Sequence, residues 1–206
     1  MITKQVYSEL DDALNFFNKR LFGGHLPDVM VVMSNKNPRS RAHFAPNRFV
    51  KRGGTDMIHE LNLNPDAYID RTDIQILSSL VHEQAHLQQQ ETGKPSRGGY
   101  HNKQWASMME AVGLMPSDTE QEGGRKTGQS MTHYIIEGGA FDIASKQFLK
   151  SRKGFQWESV VYNKVAGQSK KTRWKFTCPN CAQNAWAKEI ANLGCGDCSC
   201  KMERED

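Results

Sequence analysis

The chain has 206 residues, 37% of them apolar and 24% charged, and a net charge of +4. That is enough for one good core and a small satellite domain, the composition of an ordinary globular protein. No run approaches the roughly 18 apolar residues needed to cross a bilayer, which excludes a helical membrane span. The first residues lead straight into an amphipathic stretch without an apolar signal core, so a cytoplasmic setting is expected. In that setting the five cysteines, all within the last 29 residues, read as metal ligands in preference to disulfides.

In chain order, residues 5–22 predict a helix, with Val6, Leu10, Leu14, Phe17 and Leu21 at helical spacing and Gly23-Gly24 ending it. Residues 28–34 (DVMVVMS) suit a buried strand, and residues 57–63 (MIHELNL) a second, stopped at Asn64-Pro65. Between them residues 35–54, with Arg39, Arg41 and His43, read as a polar loop. Thr72 is placed to cap a helix, with Gln75 completing a capping box, and the helix should run to about Gln90. Its histidines fall on a polar band with Gln75, Ser78, Ser79, Gln89 and Gln90, while Ile74, Ile76, Leu77, Leu80, Val81 and Leu87 cover most of the rest. A second helix carries Trp105, Met108, Met109 and Val112, closed by Gly113. Residues 117–130 read as a flexible connection, followed by a strand (132–136), a helix (141–151) and strands flanking the cysteines.

His82-Glu83-Gln84-Ala85-His86 is an H-E-x-x-H sequence on that first capped helix. Residues i and i+4 share a helix face one turn apart, so two imidazoles can hold one zinc ion. Glu83 projects to the side, where a carboxylate can serve as general base toward the attacking water. A catalytic zinc usually has three protein ligands, and the best third candidate is His101 at the start of the next helix. Glu91 and Glu110 are its rivals. His25, His43, His59 and His133 stand singly and read as structural, although His133 or Tyr134 is a candidate oxyanion stabiliser.

Cys178-x-x-Cys181 and Cys195-x-x-Cys198 are two knuckles separated by 13 residues, a spacing that suits a closed structural zinc site of ribbon type. Cys200 is left over, since only Ser199 lies between it and Cys198. Two zinc ions are expected, one catalytic and one structural.

Taken together, the H-E-x-x-H helix, His101 in Gly99-Tyr100-His101-Asn102-Lys103-Gln104-Trp105 and the paired knuckles resemble the SprT-like (Spartan-type) zinc metalloprotease family. The resemblance implies an α+β fold, with a minimal zincin-type core followed by a C-terminal β-rich zinc ribbon. It implies His82, His86 and His101 as zinc ligands, Glu83 as acid/base, and DNA-dependent cleavage of proteins bound or crosslinked to DNA. The expected domains are a core over residues 1–116, a Gly-rich and basic connection over 117–170, and the ribbon over 171–206.

Residues 143–177 hold nine cations and one acid, a local +8 that leaves −4 for the rest of the chain. Cations interleaved with aromatics suit a nucleic acid, single-stranded DNA included, and Lys170, Lys171, Arg173, Trp174 and Lys175 are the candidate contacts. A nucleoid-associated endopeptidase acting on protein substrates is the reading adopted. Its rival from another class is a DNA-binding zinc protein whose H-E-x-x-H metal is only structural.

Overall fold

The first helix, α1 (Ile2–Leu21), buries Leu10, Ala13 and Phe17 along one stripe, as its 3.6-residue apolar spacing dictates. The computed structural model describes residues 1–34, 40–151, 154–160 and 172–205. These divide into two compact units, Met1–Val161 and Tyr162–Asp206.

In the first unit, β1 (Val29–Met33) runs parallel to β3 (Met57–Leu63), with Val29 opposite His59 and Met33 opposite Leu63. The segment expected to be a polar loop instead contributes the nine-residue strand β2 (Ala42–Val50), antiparallel to β3. The sheet order is β1-β3-β2, so β2 is an edge strand, where Pro46 can sit without breaking a ladder. A register shift between Ala45 and Phe49 absorbs Pro46 and Asn47, the latter at φ 51°. His59 holds this bulge: its Nδ1 accepts the Asn47 N–H at 2.9 Å, and its Nε2–H donates to Glu91 at 3.1 Å.

A short 3₁₀ turn (Pro65–Tyr68) leads to α2 (Asp73–Thr92), which starts at the expected capping box: Gln75 N–H donates to Thr72 Oγ1, and Thr72 N–H to Gln75 Oε1. Such a cap contributes about 1 kcal/mol. The polar band expected on this helix is not a solvent face. Ser78, Ser79, His82, Glu83, Gln84 and Gln89 are buried alongside Leu77, Leu80 and Val81. Next, α3 (Lys103–Ala111) is capped by Asn102, whose Oδ1 accepts the Trp105 N–H.

The first unit continues past residue 116. Strands β4 (Leu114–Ser117) and β5 (Thr132–Ile135) pair antiparallel, and α4 (Ala140–Ser151) lays Phe141 and Phe148 against Phe17 of α1. Gly113, at φ 89°, makes the turn into β4, and a Cβ there would lie 2.7 Å from the Phe141 amide nitrogen. One core joins these elements through Phe17, Leu61, Leu77, Trp105, Met109, Leu114 and Phe141.

In the second unit, β6 (Trp174–Thr177) lies between β7 (Asn184–Ala187) and β10 (Glu203–Arg204), and β8 (Gly194–Cys195) pairs with β9 (Cys200–Lys201). Among the described residues its buried core is Phe176, Cys178, Cys195 and Met202. The α+β reading therefore holds, and among the described residues no helix is long and apolar enough to cross a membrane.

Candidate metal centres

Helix α2 sets His82 and His86 one turn apart, with ring centroids separated by 5.2 Å. His101 joins them from the approach to α3, at 5.6 Å from His82 and 4.8 Å from His86. One ring nitrogen from each lies within 4.8 Å of the others, close enough for a shared metal ion. Trp105 forms the floor: fully buried, it stacks on His86 at 19° and meets His101 edge-on at 4.4 Å.

His101 is fastened from a distance. It forms an isolated antiparallel bridge with Gly128, and its Nδ1–H also donates to the Gly128 carbonyl at 3.3 Å. That bond commits Nδ1 and leaves Nε2 free for a metal. Neither rival for the third position is in the group, since Glu91 pairs with His59 and Glu110 with Lys126 at 2.8 Å.

Burial keeps these imidazoles neutral, the state in which they bind metal. It depresses His82 well below the ordinary histidine range, with His86 adding to the effect, and brings His86 down to about 3 and lowers His101. Burial has the opposite effect on Glu83, raising its carboxyl to about 8, against which the Phe44 backbone N–H supplies a stabilising hydrogen bond. A carboxyl titrating near neutrality can take up and release a proton at working pH.

Two contacts in this site are not expected from the sequence. One is the Phe44 amide, which belongs to the unforeseen strand β2. The other is His133, 51 residues from His82, whose Nδ1 lies 3.1 Å from His82 Nδ1 while its Nε2 lies 2.9 Å from Ser78 Oγ. With both ring nitrogens engaged, His133 has no free donor for an oxyanion. Burial, aided by Arg41, lowers it to about 3. Arg41 itself contacts Glu120 and donates to Thr132 Oγ1 at 3.0 Å, which ties β2 to β5.

In the second unit the sulfurs of Cys178, Cys181, Cys195 and Cys198 all lie within 4.8 Å of one another. All five cysteines are free thiols. Amide donors from Cys181 and Asn180 lower Cys178 to about 6, whereas contact with the Cys181 sulfur pushes Cys198 up to about 12. One thiolate forms readily and the later ones are opposed by its charge, a conflict that a bound cation removes. Cys200 is outside the four-sulfur group, although its Sγ touches Cys178 Sγ at 3.5 Å.

Of the candidate nucleic-acid residues, Lys170 and Lys171 lie outside the described residues. Arg173 is exposed, Trp174 packs against the small core, and Lys175 forms an ion pair with Glu205 at 2.9 Å. Trp186, cross-strand from Lys175, is an exposed aromatic of this unit at 62%.

Among known proteins, the model of the SprT-like family matches residues 10–126, a span that includes His82, Glu83, His86 and His101. No curated protein and no solved structure matches.

Proposed function

The chain belongs to the SprT-like family, and from that premise we propose that it is a zinc-dependent endopeptidase whose centre is His82, Glu83, His86 and His101. The observation that carries this reading is the convergence of three neutral imidazoles beside a buried carboxyl that titrates at about 8. Three protein ligands leave a fourth position open, which a purely structural site would close.

His82, His86 and His101 would hold the ion. When bound, zinc polarises the scissile carbonyl and acidifies water. Glu83 takes the proton of the attacking water and passes it to the departing amine. The Phe44 N–H keeps that carboxylate oriented, and Glu83 is 5% exposed. In the second unit, Cys178, Cys181, Cys195 and Cys198 would hold a structural zinc, which supplies folding energy beyond that of the small core of the described residues.

DNA is proposed as the recruiting partner, through Lys170, Lys171 and Arg173, with Trp186 offering a stacking face. Lys175, already paired with Glu205, contributes less. The substrates are then proteins bound or crosslinked to DNA. The test is casein or histone cleavage with and without single-stranded DNA, comparing the native protein with Glu83→Gln. The expected result is a loss of at least about 100-fold in Glu83→Gln with metal content retained. Equal cleavage by the two proteins would overturn the role of Glu83, and cleavage by neither would leave the DNA-binding zinc protein as the standing alternative. Neutralising the four cations at 170, 171, 173 and 175 should lower the salt slope of DNA binding by about one unit for each phosphate they neutralise.

A further inference from the structure

His133 stands on β5 beyond the family match, 9% exposed, with its ring centroid 5.2 Å from that of His82. It lies in a chain of side chains whose hydrogen-bond directions follow by elimination. Ser78 has one hydroxyl proton, which it donates to the Gln75 carbonyl at 2.9 Å. Toward His133 it can therefore only accept, so Nε2 of His133 carries the proton across that 2.9 Å contact. A neutral imidazole protonated on Nε2 has its lone pair on Nδ1. Across the 3.1 Å contact with His82 Nδ1, His133 is then the acceptor and His82 the donor. His82 is thereby the Nδ1–H tautomer, and Nε2 is the atom it can offer to a metal. Every donor in the chain finds an acceptor, and the chain closes on a backbone carbonyl of the same helix that carries His82.

We propose that His133 is a positioning residue for the metal centre: relayed through Ser78, it fixes the tautomer and ring orientation of His82. The inference rests on the metal-binding reading of His82, His86 and His101. The place is set by the fold, because β5 is registered against β4 with His133 opposite Pro116, and Thr132 beside it is held by Arg41. Metal-ligating histidines commonly hand their second nitrogen to a carboxylate or a carbonyl. A neutral imidazole in that place orients His82 without adding negative charge, so the full charge of the ion remains available to polarise a substrate.

The experiment is a cobalt(II) titration of the full chain, since the absorption of cobalt separates histidine from thiolate coordination. Native protein, His133→Leu, His133→Asn and Ser78→Ala are compared, and the stability of each metal-free form is measured alongside. His133→Leu is expected to bind cobalt at the histidines about 10–100-fold more weakly. His133→Asn, whose amide oxygen can take the acceptor place, should recover most of that loss. Ser78→Ala keeps the ring but releases its proton, and should weaken binding in the same direction by less. Native affinity in His133→Leu, or an Asn variant as weak as the Leu variant, overturns the assignment. Should His133→Leu fail to fold, unchanged affinity in Ser78→Ala overturns it equally. If the native protein takes no cobalt at its histidines, the metal reading itself falls, a result distinct from a native site indifferent to His133.

Discussion

His101 and Gly128, 27 residues apart, clasp each other through both backbone amides, at 2.8 and 3.1 Å. The bridge makes the segment after β4 part of the candidate metal centre, since it sets the third imidazole against the two on α2.

A substitution pair at Gly128 tests this. Proline removes the N–H that donates to the His101 carbonyl, whereas alanine keeps it and meets only the flexible Met131 sulfur at 3.3 Å. Losing one hydrogen bond of about 0.5–1.5 kcal/mol should weaken metal binding at the histidines by about two- to ten-fold in Gly128→Pro. Gly128→Ala should bind as the native protein does. Equal affinities for the two, measured by competition with a chelator, would show the bridge to be incidental.

Stability of the metal-free first unit should peak near pH 7. His82, His86, His101 and His133 are all depressed below 6.5 in the folded state, His86 and His133 to about 3. As pH falls from 6.5 toward 3 the unfolded chain takes up protons that the folded chain refuses, so stability falls with acidification. Glu83 acts in the other direction: with a folded value of about 8 against 4.5, it costs stability as pH rises from 4.5 through 8. From 4.5 to about 7 the four imidazoles outweigh the one carboxyl, and above about 7 the Glu83 contribution prevails. Amide exchange of α2 in chelated protein, from pH 4.5 to 8.5, checks the shape. A steady rise across the range contradicts it.

The turn at Gly113 should not accept a side chain. A Cβ would fall 2.7 and 2.8 Å from the backbone nitrogens of Phe141 and Ala140, in a left-handed conformation as well. Gly113→Ala is expected to lose more than about 1 kcal/mol in denaturant unfolding. Because this turn registers β4, and β4 registers β5, it should weaken metal binding too. A native unfolding midpoint would contradict the reading.

The cysteines make a paired prediction. Cys195→Ser should lose one zinc per chain and unfold the second unit, because metal binding there is folding energy. Cys200→Ser, outside the four-sulfur group, should keep both zincs and the native melting temperature. Metal analysis of the two variants giving the reverse order would reassign the fourth ligand.

The α2 capping box, the phase of His82 and His86, the grouping of His101 with them and the two knuckles are all legible in the sequence. Each depends on spacings of a few residues, which helix and turn geometry convert directly into position. Sequence falls short where partners are distant. Strand β2 reads as a loop because Pro46 and Asn47 mask its alternation, and only pairing with β3 at a sheet edge makes it a strand. The polar band of α2 suggests a wet face, yet the sheet, α3 and β5 cover it, so its serines and histidines bond within the protein. His133 reads from the sequence as a candidate oxyanion stabiliser, and its place beside His82 shows only as a 3.1 Å contact across 51 residues. Local periodicity thus determined which side chains offer themselves to a metal. Tertiary packing decided their protonation, their orientation and the neighbours that hold them, because desolvation and non-local hydrogen bonds exist only once the chain has closed on itself.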